Sequence, residues 1–152
     1  MKLIVREMDS ADQTAWAEMR AALWPEETKE AHARAVAEVL ADPEAWGFVA
    51  QADDRTAAGF AEIAVRKYAN GCDSRPVPFL EGIWIRPQFR RRGIGARLIR
   101  HAEDFLLTRG FTELGSDTVI DNRSAQAAHT AWGFSETERV VYFRKILKPP
   151  AL

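Results

Sequence analysis

The hydrophobic pattern switches between two periods along the 152 residues, and the switches mark out the elements. "KLIVR", residues 2–6, is short and apolar-centred and predicts a strand. Ala15, Trp16, Met19, Ala22 and Leu23 recur at helical spacing. Asp12 is placed to cap that helix, which runs through Leu23 and stops at Pro25. The Ala-rich stretch 28–41 predicts a second helix, ended before "DP" at 42–43 because a residue preceding proline avoids helical conformations. "WGFVAQA" (46–52) and "TAAGFAEIAVRKY" (56–68) flank the turn "DDR" and predict a hairpin. "ANGCDSRPV" (69–77) is turn chemistry and predicts a loop. "PFLEGIWI" (78–85) is a mostly apolar run, as in a strand covered on both faces. From Gly93 a helix follows, with Ile94, Leu98, Ala102, Phe105 and Leu106 on one face and Gly110 as its C-cap. The pattern then predicts a strand at 111–119, a helix from Asn122 to Trp132 ended by Gly133, and a last strand at 134–147. The order β-α-α-β-β-β-α-β-α-β predicts an α/β fold with a mixed, mostly antiparallel central sheet flanked by helices, not a doubly wound one.

Composition narrows the picture without changing it. The length suits one domain spanning 1–152, and no repeat or linker divides it. Apolar residues make up 47% and charged residues 28%, with a formal net charge of -1, which argues against a polyanion-binding protein. Cys72 is the sole cysteine, so neither an internal disulfide nor a thiolate metal cage is expected, and a reducing compartment fits. The start turns polar too soon for a signal peptide, and no run approaches the roughly 18 apolar residues of a membrane span, so a cytoplasmic protein with no membrane partner is expected.

The candidate chemistry begins at "RPQFRRRGIGARLIRHAEDF", 86–105, where a basic cluster enters a helix through Gly-x-Gly. Helix N-termini offer free N–H groups and the positive end of the dipole, and glycines let an anion approach the backbone. A dinucleotide fingerprint would place glycine where Leu98 stands, and no Gly-Lys-Ser/Thr follows for a Walker loop. A nucleic-acid module built on Arg90–Arg92 conflicts with the net charge and lacks interleaved stacking aromatics. A solvated basic turn and a cradle for another phosphate remain as readings of this segment alone.

"RRRGIG", 90–95, resembles the R/Q-x-x-G-x-G/A motif of the GNAT acetyltransferase superfamily. The preceding "LEGIWIRPQFR" is similar to that family's strand-turn entry, and "NRSAQAAHTAWGF", 122–134, to its N-x-x-A-x-x-x-Y-x-x-x-G-F segment, with His129 in the tyrosine position. The resemblance covers nearly the whole chain. It implies a GNAT acyltransferase fold with acetyl-CoA as co-substrate and no metal. Arg91, Arg92, Gly93, Ile94, Gly95 and Ala96 would hold the pyrophosphate. Ile83, Trp84 and Ile85 would flank the pantetheine arm, with Ile83 and Ile85 binding it through their backbone groups. Asn122 would contact the cofactor.

"LWP" (23–25), "YANGCDSRPVPFLEGI" (68–83), "SDT" (116–118) and "ETERVVYFRK" (136–145) resemble the small dimeric group of aminoglycoside 6'-N-acetyltransferases. That resemblance implies a homodimer, a role in antibiotic resistance, and acceptor contacts at Trp24, Tyr68, Glu81, Asp117 and Glu138. The chemistry agrees, since a polycationic sugar needs carboxylates and aromatic faces. Glu81 interrupts an apolar strand, where a carboxylate is costly unless it is paired or faces a cleft. Glu26, Glu27 and Asp73 would add negative field at the rim.

Direct attack of the 6'-amine on the thioester is expected, with Asp117, then Glu81, relaying the amine's proton. His129, and less strongly Tyr142, would serve as general acid for the thiol. Cys72 reads as a bystander, and His32 and His101 as surface helix residues. The alternatives are a GNAT enzyme for another amine, such as a polyamine or protein N-terminus, and a non-catalytic acyl-CoA-binding sensor.

Overall fold

The computed structural model describes residues 2–151. Four strands, β1 (Leu3–Glu7), β2 (Ala45–Ala52), β3 (Ala57–Arg66) and β4 (Val77–Ile85), form one sheet in sequence order, each pair antiparallel. Helices α1 (Gln13–Leu23) and α2 (Lys29–Ala41) precede β2, and α3 (Ile94–Thr108) and α4 (Arg123–Ala131) follow β4.

Because successive strand side chains point to opposite faces, β2 and β3 build two cores at once. Phe48, Ala61 and Ile63 face α3 and meet Leu98, Ile99, Ala102 and Leu106. Val49 and Phe60 face the other way and meet Trp16 and Met19 of α1 and Val36 of α2. Each fully buried large side chain here is worth about 1.5–3 kcal/mol relative to exposure. The sheet is therefore clamped between the α1–α2 pair and α3.

Two predicted strands are absent. In 111–119 only Gly115 pairs, bridging parallel to Phe79: its N–H donates to Pro78 O at 2.9 Å and its carbonyl accepts from Leu80 N at 2.8 Å. This bridge gives the otherwise antiparallel sheet its one parallel contact among the described residues. The two segments then run the same way, with no further backbone bond between them among the described residues. Residues 134–147 form no strand either, because a strand needs a partner edge and the chain offers this segment none. They run as an exposed arm, with Val141, Tyr142, Phe143, Ile146 and Leu147 all open to solvent.

Three smaller expectations change. Asp12 does not cap α1. It receives Arg6 and the Asp9 N–H, while Asp9 caps the short 3-10 turn ahead of the helix. His32 is fully buried, and His101 is half-buried, edge-on to Phe48 at 5.4 Å.

Candidate active site

The site grows from an irregularity in β4. Glu62 of β3 pairs with Gly82, but the next residue, Ile63, pairs with Leu80, so Glu81 is the extra residue of a bulge. Bulges re-aim side chains. This one sends the Glu81 carboxylate to a cavity of ≈ 320 Å³ lined by Arg20, Trp24, Glu27, Glu62 and Glu81.

The bulge also reverses which peptide groups face the free edge. Leu80 N–H points to Gly115, whereas Arg86 N–H points back to Ala58 of β3. By alternation the peptide groups of Ile83 and Ile85 turn toward the open edge. The Ile85 carbonyl is taken by Arg90 Nε at 2.9 Å.

Trp24 follows the last turn of α1, and its indole lies against the backbone of Gly82. A Cβ on Gly82 would come within 2.5 Å of the ring, so the aromatic wall requires glycine there. His32 fixes Trp24 from behind, its Nε2–H donating to the Trp24 carbonyl at 2.9 Å. Arg20 stacks over the indole at 4.6 Å and pairs with buried Glu62, which also accepts from Trp16 Nε1 at 2.9 Å. His32 Nδ1 is buried without a hydrogen-bond partner, 3.9 Å from Glu27 Oε2.

Arg66 links the remaining candidates. Its Nε and Nη2 grip Glu81 at 2.9 and 2.7 Å, and its guanidinium covers the Phe79 ring at 3.6 Å. The Glu81 hydrogen bonds hold Arg66 above its ordinary range against burial, with smaller help from the nearby charges of Glu81, Asp117 and Tyr142. Asp117 and Tyr142 thus share one electrostatic neighbourhood with Glu81.

Tyr68, Asp117 and Glu138 do not line the cavity. Tyr68 is exposed, with Arg75 5.6 Å from its ring. Glu138 follows Thr137, which lies on Gly71, so both stand beside the 69–77 loop. That loop is pinned by Glu113, whose carboxylate accepts from Asp73 N at 3.1 Å and Ser74 N at 2.7 Å. Burial, then the charges of Glu113 and Asp73, push the Cys72 thiol up, away from thiolate chemistry.

A second region lies at the start of α3. Gly93, its N-cap, adopts φ 71°, and no side chain caps the helix. Arg91 is also left-handed, at φ 62°. The Ile94 side chain is buried in the core, which leaves only its backbone for a ligand, while Gly95 and Ala96 are half-buried. Arg91 and Arg92 are exposed beside this end. A lane therefore runs from the uncapped N-terminus along the open edge of β4 to the point where the Gly115 segment departs. The Acetyltransferase (GNAT) family matches residues 12–134.

The chain belongs to the GNAT acetyltransferase family.

This GNAT chain is 44% identical to an aminoglycoside N(6')-acetyltransferase type 1 of Serratia marcescens, over 95% of its length and 99% of the relative's. A Stenotrophomonas maltophilia enzyme of the same name is 42% identical, covering 97% and 95%. The fold superimposes with TM-score 0.91 on AAC(6')-Iy in complex with the bisubstrate analogue CoA-S-monomethyl-acetylneamine, at 39% identity, over 97% of this chain and 100% of that one.

The acetyltransferase's helix α4 carries two further candidates. Asn122 Oδ1 accepts from Ala125 N at 3.0 Å and from the Ser124 hydroxyl at 3.1 Å, so that oxygen serves as the helix cap. His129 engages both ring nitrogens, Nδ1 with Ala125 O and Nε2 with Ser116 Oγ, each at 2.7 Å. Arg20, Glu62 and Arg66 were not singled out by sequence, and His32 was read as a surface residue. The available signals were Glu62 within an apolar strand and His32 four residues after Thr28, on the inner face of α2. Among the described residues no group of three His, Cys, Asp or Glu could hold a metal ion, and no helix is long and apolar enough to cross a membrane.

Proposed function

We propose that this GNAT enzyme transfers acetyl from acetyl-CoA to the 6'-amine of an aminoglycoside, and that resistance to such antibiotics is the consequence. One observation carries the reading: a cavity combining the Trp24 face with Glu27, Glu62 and Glu81, where Arg20 pairs with Glu62 and Arg66 with Glu81. An aromatic wall with clustered carboxylates suits a polycationic sugar. The names of the Serratia and Stenotrophomonas relatives support the same acceptor class.

The α3 N-terminus would receive the pyrophosphate through its backbone amides, with Arg91 and Arg92 adding charge. Ile83 and Ile85 would bind the pantetheine arm through their backbone groups, as an added strand. Acetyl-CoA supplies the activated acyl group. The Ile83 N–H, turned to the open edge, would receive the oxygen that gains charge as the amine attacks.

Glu81 is already paired with Arg66, which suits it to binding and orienting an ammonium. Asp117 is exposed in the same field and is the better proton relay. Tyr68 and Glu138 would meet the outer rings of the acceptor from the loop and the arm. Asp117→Ala is expected to lower kcat at least about tenfold on a 6'-amino aminoglycoside, within the range for general base removal. Glu81→Gln should act mainly on KM. Wild-type kcat for Asp117→Ala removes it from the mechanism.

The homodimer belongs to the same proposal. The arm leaves Val141, Tyr142, Phe143, Ile146 and Leu147 at 74–93% exposure with no cover from their own chain, with the most open at Phe143 (93%). Such an apolar segment suits a second copy as its partner. The cytoplasm, where acetyl-CoA is made, fits the same reading.

A further inference from the structure

The leaving thiol needs a proton, and the geometry around His129 shows which group can give it. The ring lies between two fixed partners. Nδ1 is 2.7 Å from the carbonyl of Ala125, one helical turn back, and a carbonyl only accepts, so Nδ1 carries a proton in every state that keeps this bond. Nε2 is 2.7 Å from Ser116 Oγ. When the ring is neutral, Nε2 has a lone pair and the Ser116 hydroxyl points inward to it. When the ring is cationic, Nε2–H donates to Ser116 Oγ and the hydroxyl proton is freed to point outward. No carboxylate of the described residues pairs with the ring. Trp132 and Phe134 close on it at 5.4 and 5.1 Å, and Asp117, the next residue after Ser116, is exposed.

Ser116 stands one residue past Gly115, where the chain parts from β4. Beyond that bridge β4 continues with the Ile83 and Ile85 peptide groups on its free edge. We infer that Ser116 is the terminal proton donor to the leaving thiol, and that His129 is the positioning and proton-supplying residue behind it. The inference rests on acetyl transfer from a CoA thioester and is independent of which amine accepts.

Ser116 gives its hydroxyl proton to the departing sulfur, which keeps the electron pair of the broken carbon–sulfur bond. His129 replaces that proton from Nε2 in the same event, because a lone serine hydroxyl is a weaker acid than a thiol. The ring is left neutral with its proton on Nδ1. The proton shed by the newly acylated nitrogen balances the one the sulfur gains. His129, expected from sequence to reach the thiol itself, acts one atom further back.

Two measurements test this. Nitrogen-15 NMR of histidine-labelled protein reads the tautomer without any acceptor: the neutral His129 ring is expected as Nδ1–H, and an Nε2–H ring overturns the inference. Single-turnover acetyl transfer reads the chemistry. Ser116→Ala should slow it by about tenfold or more, the lower range of acid catalysis, while the CoA dissociation constant stays unchanged. Ser116→Thr keeps a hydroxyl and should restore most of the rate. A Ser116→Ala rate equal to wild type overturns the donor assignment, as does a Thr variant no faster than Ala. Any amine the enzyme acetylates reports these rates, so a wrong acceptor assignment fails on acceptor choice and a wrong donor assignment fails on the Ser116 variants.

Discussion

Trp24, proposed as the aromatic wall of the acceptor site, is held from three sides. Its carbonyl is held by His32, its ring is stacked by Arg20, and Gly82 leaves it room. Trp24→Ala should raise the acceptor KM about tenfold, close to the 0.5–2 kcal/mol of a cation over an aromatic face, with little change in the CoA dissociation constant. Behind the wall, Glu62→Ala strands Arg20 in the interior. Breaking a buried pair from one side costs about 3–5 kcal/mol, which denaturant titration should register as a lower midpoint. Glu81 was legible in the sequence because a carboxylate in an apolar strand asks for a reason. His32 was not. Helix α2 is Ala-rich on several sides, and only the packed structure shows which side meets the Trp24 corner.

Among elements, β4 and the chain immediately after it carry most of the residues in the proposed function. The bulge at Glu81 supplies both the acidic side chain and the reversal that opens the Ile83 and Ile85 peptides, and its sequence sign is Gly82, an isolated glycine inside the strand. Helix α3 was legible from its apolar stripe and glycine start. The predicted strand 111–119 was not, since its alternation is satisfied by a single bridge at Gly115 and by Glu113 holding the 69–77 loop. The backbone bond from Ser74 sets Glu113 below the usual carboxylate range, and the Arg6 hydrogen bond does the same for Asp12. Both folded values lie below the unfolded ones. Their contribution is therefore present at neutral pH and is lost as pH falls from about 4, the ordinary carboxylate value, through the folded values. Thermal midpoints measured from pH 7 down to 3 should drop most steeply below about 4, and Glu113→Gln should flatten part of that slope.

At the scale of the molecule, one chain encloses a sheet between helices but leaves its arm uncovered. The arm's apolar residues read as a strand in the sequence, and they lack only an edge to pair with. If a second copy covers them, Phe143→Ser together with Leu147→Ser should shift sedimentation from dimer toward monomer; a wild-type monomer contradicts the dimer directly. The cavity forms only when α1, β3 and β4 are assembled, which is why the family motif was readable in "RRRGIG" while the cavity was not. The acceptor is tested most directly by CoA release from acetyl-CoA with a 6'-amino aminoglycoside, its 6'-hydroxyl counterpart, a polyamine and a peptide amine side by side. Rapid release with the 6'-amino compound alone is the predicted result. Release with only the polyamine or the peptide would contradict the account.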